Sequence, residues 1–298
     1  MSPLASFLDT NAHALLTFVP ALRDGRVDAV HDARVATRRL RAALGIIESL
    51  GDYPHLDEAR LLARKTARAL GRVRDLDVAL QLLDDLERRA PSAAPAAAFC
   101  RRELFRQRTA ARRRLVRKLD DLSLRRLPEL LAGRVPRVDR ALADQARNRA
   151  TGVAQAVDHA SGVYFPRRAH AARIEIKKLR YLIEFHDPSD RESLKVLRKG
   201  QEILGDIQDR QVVQGMVQEL LGDSPAPDVD LAPLVAMLEA ECVVLYDRFI
   251  ERRGDLLDVC ERIASRRTVP RSALVTGALL TAGAVIAGSV VPLRRRAT

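Results

Sequence analysis

His31, Arg34, Arg38 and Arg41 stand three, four and three residues apart. On a helix turning about 100° per residue that spacing sets all four in one row. The row recurs as His170, Arg173, Lys177 and Arg180, within a shared pattern H-x-A-R-V/I-x-x-R/K-R/K-L-R offset by 139 residues. A second block follows in each half. Arg64-Lys65 and then Leu70-Gly71-x-Val73-x-Asp75 match Arg198-Lys199 and then Leu204-Gly205-x-Ile207-x-Asp209, at an offset of 134. Two blocks in the same order at nearly the same spacing point to an internal duplication.

Such a row has a cost, because like charges one turn apart destabilise a helix by a few tenths of a kcal/mol per pair. Over ten residues it is about 15 Å long and suits a linear anion better than a small one. Arg offers forked donors to phosphate oxygens and Lys a compact charge. The competing reading pairs each cation with an acid from another helix, such as Asp75, Asp77 or Asp209. The recurrence of the row in both halves favours a binding surface. His31 and His170 suit either a hydrogen bond to phosphate, with pH dependence near neutrality, or local satisfaction near a helix start. Neither has a second ligand at metal-binding spacing on its stripe, so no metal and no cofactor are expected. The second block adds Arg64, Lys65, Arg68 and Arg72 in the first half and Lys195, Arg198 and Lys199 in the second. Gly71 and Gly205 read as helix ends or close-packing points, and Asp75 and Asp209 as caps or as groups that orient an Arg. Arg112, Arg113, Arg114, Arg117 and Lys118 read as a solvated face.

The elements that must position these rows are helices. Ala, Leu and Arg dominate, aromatics are 4% and Trp is absent, a usage with low helix penalties; no alternating run argues for a sheet. Pro and Gly divide the chain into predicted helices near 4–19, 27–50, 56–71, 74–90, 96–119, 137–160, 167–186, 190–204, 207–221, 231–252 and 254–265. On the second of these, Ala33, Thr37, Leu40, Leu44 and Ile47 form the face beside the basic row; Ala172, Ile176, Leu179 and Ile183 do the same behind the other row. Such stripes pack into a core. Arg39 and Lys178 point elsewhere.

Fifty-one Lys and Arg against 39 Asp and Glu give a formal charge of +12, a field that draws nucleic acid, an acidic membrane or a phosphate polymer alike. A nucleic-acid binder needs stacking platforms, and the basic rows hold almost no aromatic besides Tyr181. A metal-dependent phosphohydrolase or kinase needs a G-x-x-x-x-G-K-S/T loop, an acidic cluster for Mg²⁺ or a nucleophile with its base; none is apparent. The expectation is therefore a non-enzyme. Cys100, Cys242 and Cys260 are scattered and fit a reducing cytosol, and the N-terminus has no signal-peptide pattern.

His31-x-x-Arg34-x-x-x-Arg38-Arg39-Leu40-Arg41, with Leu70-Gly71-Arg72-Val73-Arg74-Asp75-Leu76-Asp77-Val78 and their partners in the second half, resembles the CHAD family (conserved histidine α-helical domain) across about residues 1–268. The resemblance implies an all-α fold. It implies two pseudo-symmetric four-helix-bundle-like halves, about 1–135 and 136–268, around a basic groove or pore. It also implies binding of inorganic polyphosphate and location at polyphosphate granules. The contacts it implies are His31, Arg34, Arg38, Arg41, His170, Arg173, Lys177 and Arg180, with Arg64, Lys65, Arg68, Arg72, Arg198 and Lys199 behind them. Gln208 in place of Arg74 and Glu202 in place of Arg68 shift the expected strength to the N-terminal side. The triphosphate-tunnel enzyme domain often fused to such modules is marked by E-x-E-x-K on a strand, and this chain lacks it.

Residues 269–298 form an apolar tail. Its 22 residues from Ser272 to Leu293 carry no charge, enough to span a hydrocarbon core as a C-terminal apolar helix. Gly277, Ala284 and Gly288 suit helix contacts in a membrane, whereas Pro292 and the Gly/Ala content favour a granule-surface or partner-binding tail. Basic flanks at both ends leave its orientation open.

Overall fold

In the computed structural model, which describes residues 2–136, 138–223 and 229–266, helices form where the apolar periodicity sets them. The first five are α1 (Pro3–Arg23), α2 (Val27–Leu50), α3 (Asp57–Arg89), α4 (Ala94–Asp120) and the short α5 (Leu127–Leu131). The second five are α6 (Asp139–Ala160), α7 (Pro166–His186), α8 (Arg191–Asp223), α9 (Ala232–Glu251) and α10 (Arg253–Ala264). Among the described residues there is no strand, and the fold is all-α. Caps set some of the starts: Ser2 accepts from the Ala5 amide at 3.2 Å ahead of Pro3, and Asp190 accepts from the Ser193 amide at 3.1 Å ahead of α8.

Within the first half α1 packs on α2, α2 on α3 and α3 on α4; in the second, α6 packs on α7, α7 on α8 and α8 on α9. Across the halves α2 lies against α7 and α3 against α8. Met1–Ser265 form one compact unit around a continuous apolar cluster. The faces predicted behind both basic rows are in it: Leu40, Leu44, Ile47, Ile176, Leu179 and Ile183 are at most 1% exposed. Removing such side chains from water is what holds both motif helices in that core. Phe7 of α1 and Phe185 of α7, with ring centroids 5.3 Å apart, tie the halves further.

Two predicted helix breaks are absent. The segments expected at 56–71 and 74–90 are the single helix α3, and those at 190–204 and 207–221 are the single helix α8. One glycine in a helix interior costs only about 1 kcal/mol, and buried neighbours such as Leu70, Val73, Leu204 and Ile207 outweigh it. Gly71 and Gly205 instead lie inside helices beside an arginine of the neighbouring motif helix, at ordinary van der Waals distance. A Cβ on Gly71 would lie 3.7 Å from an Arg34 guanidinium nitrogen, and one on Gly205 would lie 4.0 Å from Arg173 Nε. The motif Arg of each half therefore lies along the glycine of the next helix. Asp75 and Asp209, now in helix interiors, cap nothing. No described helix is long and apolar enough to cross a membrane. The tail segment 272–293 lies outside the described residues.

Candidate anion-binding site

The packing of α2 on α7 and of α3 on α8 brings both motif rows to one place. Arg38 lies within electrostatic reach of Arg34 on its own helix and of Arg173 and Arg180 on α7. Lys177 feels Arg173, Arg38 and Arg41, and Arg41 feels Arg34, Arg64 and Arg68. Burial, and then this crowding, lowers the pKa of Arg38 and of Arg41; as arginines they stay charged. The same two causes push the Lys177 ammonium from its usual 10.5 down to about 8.

Most of these cations have no acid to answer them. Among the described residues Arg38, Arg41, Arg173 and Lys177 have no carboxylate within 4.0 Å. Arg34 is 3.6 Å from Asp75. Asp209 acts on Arg173 electrostatically, against the burial that lowers the Arg173 pKa. Burial raises the pKa of Asp75 and Asp209 despite these cations. Arg38 Nε, Arg173 Nε and the Tyr181 hydroxyl are buried without a hydrogen-bond partner. Orphaned buried donors are costly, about 1–3 kcal/mol each, and three in one cluster call for an acceptor there.

Arg180 is placed differently from its expected role. It is 6% exposed, forms an ion pair with Glu184 one turn on, donates to Gln201 at 2.8 Å and lies 4.3 Å from the Tyr181 ring centroid. Glu184 also holds Arg39 across the seam at 3.9 Å, and Arg38 reaches the same Tyr181 ring at 5.8 Å. Arg180, Glu184 and Tyr181 thus form a floor under the open cations. Glu184, four residues beyond Arg180, was the sequence signal for this pairing. Lys178 pairs with Glu175 at 2.6 Å.

The histidines sit at the near ends of the rows, both exposed. His31 has a pKa lowered by burial and then by Arg74. His170 hydrogen-bonds Gln208, which occupies the position matching Arg74. Arg74, absent from the expected contacts, therefore adds a cation at the His31 end. Of the second block, Arg64 and Arg68 lie near Arg41, with Arg64 also 3.1 Å from Glu48. Arg72 donates to Gln107 of α4 at 2.6 Å. Lys65 and Arg198 are exposed, with no ion pair among the described residues. Lys199 faces the α8–α9 seam, beside Asp206 and Arg248. No group of three or more His, Cys, Asp or Glu among the described residues could hold a metal ion. The three thiols are buried and unpaired, and burial raises Cys100 to about 11 and Cys260 to about 12.

A sequence family described as the CHAD domain matches residues 6–218 of this chain. Among solved structures, the CHAD domain from the plant Ricinus communis is similar at 22% identity and a TM-score of 0.61, covering 89% of this chain and 91% of that one. PptA from Streptomyces chartreusis is similar at 20% identity and a TM-score of 0.59, covering 87% of this chain and 98% of that one. At these identities the likeness is one of fold. No curated protein matches the chain.

Proposed function

The chain belongs to the CHAD domain family, and on that premise we propose that it binds inorganic polyphosphate through the cations that α2 and α7 bring together, and attaches by them to polyphosphate granules. The contacts are Arg34, Arg38, Arg41, Arg173 and Lys177, with His31, His170 and Arg74 at one end and Arg64 and Arg68 at the other. Arg180 acts from below, fixing Tyr181 and the seam.

One observation carries this reading: buried guanidinium donors of Arg38 and Arg173, one from each half, have no acceptor of the protein's own. A phosphate oxygen supplies what they lack, as a charge-assisted bond to a rigid fork. Release of the polymer's condensed counterions drives the association, so affinity falls steeply with salt. The role is binding and not catalysis, because the cluster assembles attraction without a nucleophile and base held against each other.

A nucleic acid answers the same charge, but its sequence-tolerant affinity rests on stacked bases, and Tyr181 is 1% exposed beneath two guanidiniums. Fluorescence anisotropy with labelled polyphosphate, competed by single-stranded RNA at equal phosphate concentration, tests the choice. Displacement only at a large excess of RNA is expected. Equal competition, or no binding of polyphosphate at low salt, overturns the proposal.

A further inference from the structure

The two halves share helix placement but not the charge on their outer seams. α3 and α8 run from 57 to 89 and from 191 to 223, an offset of 134 at both ends. The same offset carries the buried Leu104 and Leu115 of α4 onto the buried Leu238 and Phe249 of α9. On the second half the seam of α8 with α9 is a cavity whose charged lining is Lys199, Glu202, Asp206, Arg248, Glu251 and Arg252, three acids and three bases. The matching positions on the first half are Lys65, Arg68, Arg72, Arg114, Arg117 and Lys118. All six are basic and exposed, and none has a carboxylate within 4.0 Å among the described residues.

The difference runs the length of the outer helices. α4 carries nine Arg and Lys against two acids, while α9 carries one Arg against four. Arg114 with Arg117 and Arg114 with Lys118 are like charges one turn apart, each pair costing a few tenths of a kcal/mol. The second half shows that the same seam can neutralise itself.

Resting on the proposed function above, we infer that the α3–α4 seam is a second track for the same polyphosphate chain, which leaves the α2–α7 cluster past Arg41 and Arg68 and continues over the N-terminal half only. Arg68 joins the two places, since it lies on the seam and within electrostatic reach of Arg41; Glu202 at the matching position closes that route in the other half. Arg72, bonded to Gln107, fixes which face of α4 meets α3. Arg114 and Lys118 follow Gln107 at seven and eleven residues, on the same stripe. The exposed Phe105 points to the other side of α4, so the track offers charge without a stacking platform and fits a polymer without bases.

The test uses the full chain with two probes, tripolyphosphate and a long-chain polyphosphate, measured by calorimetry at several salt concentrations. The triple variant Arg114→Gln, Arg117→Gln, Lys118→Gln alters exposed side chains of α4 alone, and an unchanged melting temperature confirms its fold. Its tripolyphosphate affinity is expected to stay within about twofold. Its long-chain affinity is expected to fall by about tenfold or more at 0.1 M salt, with the log–log salt slope shallower by about two, taking roughly 0.7 per lost contact. Conversely, Glu202→Arg with Glu251→Arg is expected to strengthen long-chain binding alone. Long-chain affinity unchanged in the triple variant, while Arg38→Gln with Arg173→Gln still weakens both probes, overturns the second track and leaves the central reading standing. Loss of RNA binding with long-chain polyphosphate unaffected overturns the track as well. If Arg38→Gln with Arg173→Gln weakens neither probe, the central reading falls and the track with it.

Discussion

Replacing Lys177 by Met is expected to abolish a proton uptake that accompanies polyphosphate binding above neutral pH. Burial, followed by Arg173, Arg38 and Arg41, lowers the Lys177 ammonium to about 8 in the free protein. A phosphate placed among those cations reverses the second cause and returns the pKa toward its usual 10.5. At pH 8.5 a group with a pKa of about 8 is roughly one-quarter protonated, whereas one near 10.5 is almost fully so. Binding therefore takes up about 0.7 proton at pH 8.5 and only about 0.1 at pH 7. Affinity must accordingly decline as pH rises from about 8 toward 10.5. The free protein shows the opposite sign. A base whose folded pKa lies below its unfolded one is held at a cost while charged, so stability rises with pH across the same window. The full shift corresponds to at most about 3 kcal/mol, less what solvent screens at the exposed end. Isothermal titration calorimetry at pH 8.5 in two buffers of different ionisation enthalpy reads the uptake directly. An enthalpy that is independent of buffer at pH 8.5, or a dependence that persists in Lys177→Met, would refute the reasoning.

Other substitutions separate floor from contacts. Glu184→Gln leaves Arg180 buried without its partner and is expected to cost about 3 kcal/mol in urea unfolding; an unchanged midpoint would contradict the pairing. Gly71→Ala has room beside Arg34 and lies in a helix interior, so it is expected to stabilise by about 0.5–1 kcal/mol, whereas a helix end with a left-handed residue would be destabilised. Long-chain polyphosphate at a hundred times its Kd is expected to add about 2.7 kcal/mol to unfolding stability, seen as a raised Tm that sodium chloride reverses.

Helix class and the two rows were legible because they rest on periodicity. α2 spans 27–50 as predicted, and the residues behind its row are buried. What the pattern missed was tertiary. Glycine is a helix-end signal locally, yet Gly71 and Gly205 sit inside long helices beside Arg34 and Arg173 of the neighbouring helices, where buried flanking residues carry the helix through, which no window along the chain can reveal. The five-residue α5 is too short to show a period. Arg180 and Arg41 occupy matching places on their rows but differ in fate, since only Arg180 has an acid one turn on, at Glu184. Lys199 shares its block with Arg198 but faces α9, because neighbours in sequence point about 100° apart on a helix. The solvated face expected on α4 became informative only once the matching α8–α9 seam was seen to carry acids.

A crystal structure with bound polyphosphate tests the central claim most directly. Phosphate oxygens within hydrogen-bond distance of Arg38 Nε and Arg173 Nε, between α2 and α7, are the predicted result. Phosphates bound elsewhere with both Nε atoms still unpartnered, or an acid of the protein swung in to occupy that place, would contradict it.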